Sequence, residues 1–171
     1  VAVVGAPAPI DDSSPGAVYV FRFDGAAWNE EAILRPGGNW FGWSVALAGN
    51  RLVVGAMFTH HPSLSGSNHA GAAWIYEYDG ATWAEVQTLR ASDPGYGDYF
   101  GSAVAISSAG RILVGARGDS DEAQDRYGIG AVYEFEHDGA SWVEVQKFRT
   151  QEQADQAFFG FSLAVAGDVA V

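Results

Sequence analysis

Three observations predict an all-β fold built from a repeated unit. Phe41-Gly42, Phe100-Gly101 and Phe159-Gly160 recur at a spacing of 59 residues. The same blocks recur three times in the same order around these pairs: a run of small and branched residues, Val-Gly-Ala, a variable loop, Gly-Ala before an aromatic stretch, then Asp-Gly and a tryptophan. Each unit holds four short runs rich in Val, Ile, Tyr, Phe and Trp, and no stretch of ten residues has helical periodicity.

The strands follow in order. In the second unit they are expected at about 42–48, 51–57, 71–78 and 82–90. Val4-Gly5-Ala6, Val54-Gly55-Ala56 and Val114-Gly115-Ala116 end the second run of each unit, and Gly16-Ala17, Gly71-Ala72 and Gly130-Ala131 open the third. Asp24-Gly25, Asp79-Gly80 and Asp138-Gly139 are hairpin turns, because Gly accepts positive φ and Asp tolerates it. Trp28, Trp83 and Trp142 then open the fourth run as packing residues. A four-stranded meander cannot bury both faces alone, so the units must stack face to face, as the blades of a β-propeller do. Small residues such as Ser44, Ala46, Ala103 and Ala105 suit the crowded first strand near a propeller axis.

The blocks F-G-x-S-V-A, V-V-G-A and G-A-V-Y-V-F resemble the FG-GAP repeat of integrin α subunits and of many bacterial secreted or surface proteins. The likeness spans the chain, and Trp83 to Leu89, Ala91-Ser92-Asp93 and the next Phe-Gly bring it nearest the bacterial form. The resemblance implies an extracellular propeller of about seven blades used for adhesion and protein recognition. Integrin-type calcium hairpins do not carry over. Ala48-Gly49-Asn50, Ser107-Ser108-Ala109-Gly110 and Ala166-Gly167-Asp168 offer too few of the six to eight oxygens Ca²⁺ requires.

The units divide the chain at about 1–40, 41–99 and 100–158, with 159–171 starting a further one. Val1-Ala2-Val3 and Val169-Ala170-Val171 occupy the same repeat position. Three blades cannot close a ring, so either copies of the chain complete one head to tail or these residues belong to a longer array, which the overlap favours. A start at Val1, with no Met and no leader-like segment, likewise reads as a processed or excerpted piece.

Composition narrows the function. The 171 residues carry nine basic and twenty-one acidic side chains, a formal charge of −12 that repels phosphate and excludes a basic-patch nucleic-acid binder. With no cysteine there is no disulfide, thiolate metal site or Cys nucleophile. No apolar run reaches membrane-spanning length. No G-x-S-x-G, H-E-x-x-H or phosphate loop occurs, so the chain reads as non-enzymatic.

In an up-and-down blade the loop between strands two and three and the link to the next blade lie on one face. Those segments are long and variable here, and recognition usually lives on such loops. They hold Asp11, Asp12, Asp93, Asp98, Asp119, Asp121, Glu122, Asp125, Glu152 and Asp155 against Arg117 and Arg126, so this face is expected to be negative. The charge serves either solubility or a cationic or Ca²⁺-bridged partner. Asp119, Asp121 and Asp125 stand at positions 1, 3 and 7 of a loop, a weak Ca²⁺ candidate lacking the Gly at 6 and the Glu at 12. Arg117-Gly118-Asp119 spells an adhesive tripeptide but aligns with variable positions. His60, His61 and His69 could meet on Zn²⁺ only if their loop folded back, and read as solvated side chains. Trp43, aligned with Ser102 and Phe161, is free to face a protein or a sugar. Arg35, Arg90 and Arg149 end the fourth strand, where structural ion pairs are expected. The reading is an adhesion or protein-interaction scaffold, with a filament or sheath module and a carbohydrate-binding propeller as alternatives.

Overall fold

The computed structural model describes residues 1–8, 16–36, 40–66, 68–121, 126–151, 155–167 and 169–171. Thirteen strands and no helix are found among them. The first sheet pairs β1 (Ala2–Ala6), β2 (Ala17–Phe23) and β3 (Trp28–Leu34). The second runs β4 (Ser44–Ala48), β5 (Arg51–Ala56), β6 (Ala72–Tyr78) and β7 (Trp83–Leu89), and the third β8 (Phe100–Ile106), β9 (Ile112–Ala116), β10 (Ala131–His137) and β11 (Trp142–Phe148). A short pair, β12 (Val165–Ala166) and β13 (Val169–Ala170), follows. Neighbours within each sheet are antiparallel and consecutive in sequence, which makes every four-stranded sheet a meander of propeller-blade type. The sheets do not close into a ring.

The turns form as their sequences require. Gly25, Gly80 and Gly139 all stand at φ 104°, and the preceding aspartate accepts two backbone N–H groups across the turn, as from Ala81 and Thr82 to Asp79 Oδ1 at 2.8 Å each. These bonds hold the Asp24, Asp79 and Asp138 carboxyls below the usual aspartate range. Each blade also slips register at one place in its outer pair, between Val20 and Phe21, Ile75 and Tyr76, and Glu134 and Phe135.

Burial on both faces explains why β5 reads as an unbroken apolar run. Side chains alternate along a strand, so Leu52, Val54 and Ala56 join the cluster facing the first sheet, with Val18, Val20 and Phe41. Val53 points the other way and joins Ile75, Phe100, Val104, Val114 and Tyr133. Phe41 and Phe100, from the Phe-Gly pairs, are fully buried, with ring edges against Trp74 and Tyr133 respectively.

The fourth-strand tryptophans report how far each sheet is covered. Trp142 packs under the Arg51 guanidinium at 4.7 Å and is 5% exposed. Its backbone N–H and carbonyl pair with the Gln87 side-chain amide at 2.8 Å each, joining third sheet to second. Trp83 donates its indole N–H to Glu31 on β3 at 2.9 Å. Trp28, on the first sheet, has no such neighbour among the described residues and is 54% exposed.

The sheets approach most closely at glycine. A Cβ on Gly5, Gly55 or Gly115 would overlap the carbonyl of Gly42, Gly101 or Gly160, so the Val-Gly-Ala glycine of each unit lies against the Phe-Gly glycine of the next. Gly55→Ala is therefore expected to cost about 3 kcal/mol, from overlap with backbone that cannot yield. Gly80→Ala, where nothing lies within 4 Å, should cost only about 1 kcal/mol of backbone strain. Urea titration of the two variants checks the difference.

Candidate functional site

The long loops and the links between sheets bring two groups of side chains together. The first is a charged cluster at the third sheet. Asp119, in the loop after β9, is 2% exposed, and its backbone is fixed by Asp119 N–H to Ala116 C=O at 3.1 Å and Gly130 N–H to Asp119 C=O at 3.0 Å. Its Oδ1 accepts from Arg149 at 2.9 and 2.5 Å, and its Oδ2 from Lys147 at 2.5 Å and the Tyr133 hydroxyl at 3.1 Å. Tyr133 and Lys147 also each reach Asp93, in the link after β7, at 2.8 Å. Burial raises the Tyr133 hydroxyl far above its ordinary range, with the Asp119 charge adding to it, so it stays a donor. Burial opposes ionisation of Asp93, but the Lys147 and Tyr133 bonds outweigh it and hold the carboxyl low.

Asp98 completes this corner. It is 4% exposed and accepts the Gly95 N–H at 2.5 Å. Burial, with the nearby Asp119 and Asp93 charges, pushes it up to about 6. Asp93, Tyr96, Asp98, Asp119, Asp121 and Arg149 line a cleft of about 300 Å³.

The second group is a line of rings. Trp43 meets Trp40 at 5.8 Å, Trp40 meets Phe58 at 5.4 Å, and Phe58 meets Tyr99 at 5.4 Å. The Arg117 guanidinium then lies 5.3 Å from Tyr99 and 5.4 Å from Phe161. Trp40, Tyr99 and Phe158 hold left-handed backbone at φ 61°, 57° and 50°, which turns the chain into the Phe-Gly pair that follows each.

Among the acidic loop residues singled out from sequence, Asp11, Asp12, Glu122, Asp125 and Glu152 lie outside the described residues. Trp43 is 39% exposed. Asp93 and Asp98 share the cleft with Asp119 and Asp121 rather than standing on open loops. Arg117, Gly118 and Asp119 do not form a projecting tripeptide, since Arg117 lies on rings and Asp119 is buried in ion pairs. Asp119 of the calcium candidate has both oxygens engaged by cations, and Asp121 pairs through its backbone with Arg126. No group of three or more His, Asp or Glu side chains is arranged to hold a metal among the described residues.

The histidines are less solvated than expected. His61 Nδ1 lies 2.7 Å from Ser63 Oγ, His60 Nδ1 accepts the Asn68 N–H at 3.2 Å, and His69 packs on Phe58 at 5.2 Å. Asn68, 1% exposed, organises their loop by accepting from His61 and Ala70 and donating to the His61 and Leu64 carbonyls. Among the described residues, only Arg149 of the three strand-ending arginines pairs with a carboxylate. Arg35 reaches the Tyr19 hydroxyl at 3.3 Å, and Arg90 the His60 carbonyl at 3.1 Å. Sequence reasoning missed Lys147, Tyr133 and Asn68. Lys147 carried one usable signal: it is the only lysine in the chain.

The FG-GAP repeat model matches residues 28–76 and 83–135, more than half of the chain, and the chain belongs to that family. Each match runs from a fourth-strand tryptophan through the third strand of the next sheet, so the sequence repeat is offset from the blade by one strand. No curated protein matches the chain.

Asp119→Asn should destabilise the protein by about 3 kcal/mol, because it leaves Arg149 and Lys147 half-buried without their counter-charge; chemical denaturation measures this. Asp98 gives a pH dependence of defined sign. Its folded value near 6 exceeds the unfolded value of about 4, so its contribution is full below pH 4 and is lost as pH rises to about 6. Thermal melts across that window should show a fall that Asp98→Asn removes.

Proposed function

We propose that the chain is a non-catalytic segment of an extracellular propeller that binds a protein or cell-surface partner through its long-loop face. The observation that carries this reading is the set of exposed aromatic side chains on that face: Trp43, Tyr96, Tyr127, Phe158 and Phe161, between 39% and 62% exposed. Aromatic rings on loops held by a rigid scaffold suit protein contact, since they supply area with little entropy to lose. Family membership supports an extracellular interaction module, and no described helix is long and apolar enough to cross a membrane. FG-GAP repeats are generally not catalytic, and the sequence offers no nucleophile motif.

A second reading, a structural module whose sheet faces pair with a further blade, is favoured by the uncovered Trp28 and Phe23 on the first sheet. A blade from elsewhere in a longer chain or from another copy would cover them as Trp142 is covered. Light scattering separates these, since pairing between copies raises the solution mass with concentration.

The loop-face reading is tested with fluorescently labelled chain on whole cells. Trp43→Ala combined with Tyr96→Ala should lower saturable binding at least about tenfold while leaving the melting temperature nearly unchanged. Undiminished binding by the double variant would overturn it.

A further inference from the structure

The second and third sheets share one backbone at their loop-face corner and differ in its charges. Thr59 N–H donates to Ala56 C=O at 3.1 Å and Gly71 N–H to Thr59 C=O at 2.8 Å, as Asp119 and Gly130 do in the third sheet. Arg90 donates to the carbonyl of the next residue, His60, at 3.1 Å, as Arg149 does to Ser120 at 3.2 Å. Thr59 thus stands where Asp119 stands, and Arg90 where Arg149 stands.

What the second corner lacks is the anion. Thr59 replaces the Asp119 carboxylate, Thr88 replaces Lys147, and the link 36–40 contains no acidic residue to play the part of Asp93. The loop 57–70 has three histidines and no Asp or Glu, so it offers Arg90 no carboxylate. Arg90 is half-buried, makes one hydrogen bond, and forms no ion pair among the described residues. Burial alone shifts it, downward from its ordinary value, with no carboxylate opposing the shift. Thr59 Oγ1 is the one buried side-chain oxygen or nitrogen without a hydrogen-bond partner among the described residues. A guanidinium with open donors and an unsatisfied hydroxyl are the groups that a carboxylate satisfies together.

We propose that the corner formed by Arg90 and Thr59 binds a carboxylate side chain of an acidic peptide segment, which takes the place that Asp119 fills within the third sheet. This deepens the loop-face reading, on which it rests for the partner being a protein. The guanidinium donates two N–H bonds to the carboxylate and the Thr59 hydroxyl donates a third. The net negative charge of the chain disfavours loosely held anions, so the site selects an anion that makes both contacts.

The experiment titrates the full chain with a capped tetraglutamate peptide, following the Arg90 Nε–H resonance and the heat of binding, with capped tetraglutamine and inorganic phosphate as comparisons. Saturable binding of tetraglutamate alone is expected, weakened about tenfold or more in Arg90→Gln. Thr59→Asp supplies the carboxylate in cis, so it should abolish peptide binding while raising the melting temperature, which keeps the test independent of any folding defect in Arg90→Gln. Absence of saturable binding, equal binding of tetraglutamine, binding of phosphate alone, or undiminished binding by Thr59→Asp would overturn the proposal. Cell binding that persists while the peptide fails to bind would overturn the Arg90 site and leave the loop face standing; loss of cell binding in Trp43→Ala with Tyr96→Ala is the separate measure of that face.

Discussion

The structure depends on one close approach, glycine against glycine between neighbouring sheets. The Val-Gly-Ala glycine of one sheet meets the Phe-Gly glycine of the next with no room for a Cβ on the first, and Gly42, Gly101 and Gly160 also hold positive φ. That contact sets the spacing between sheets near their first strands. Everything packed between them follows: the alternation of Leu52 and Val53 to opposite clusters, the buried Phe41 and Phe100, and the tryptophans that close the outer edge. Because the approach is backbone to backbone, it works as a hard stop that side-chain repacking cannot absorb.

The fold was legible because its determinants are local. Asp-Gly turns and β-branched runs each act over a few residues, a period of 59 repeats them in one register, and the strands of the second unit lie within two residues of where they were expected. The aromatic character of the residue before each Phe-Gly pair, Trp40, Tyr99 and Phe158, was also visible. Its cause was not, since no sequence pattern announces a left-handed aromatic residue ahead of a Phe-Gly turn.

The loop face was harder to read because its charges act through space. Asp119 and Arg149 are 30 residues apart, and Tyr133 and Asp93 are 40 apart, in segments that only the folded sheet brings together. Counting carboxylates assigns them all to the surface. Asp98 and Asp119 are instead buried, and Asp93 and Asp119 are neutralised by Lys147 and Arg149. Aligning the units by position, rather than counting residue types, separates a corner that carries its own anion from one that does not.

The offset between repeat and blade bears on how such chains change in length. A segment running from one fourth-strand tryptophan into the next third strand holds one partner of a joint between sheets, and the tryptophan that follows the segment is the other: Glu31 meets Trp83, and Gln87 meets Trp142. Copying one full period within a gene places the tryptophan that opens each copy beside the fourth strand of the copy before it. Tandem duplication thus repeats the same order of partners at every junction between sheets, and the divergence that follows is free to fall on the loops.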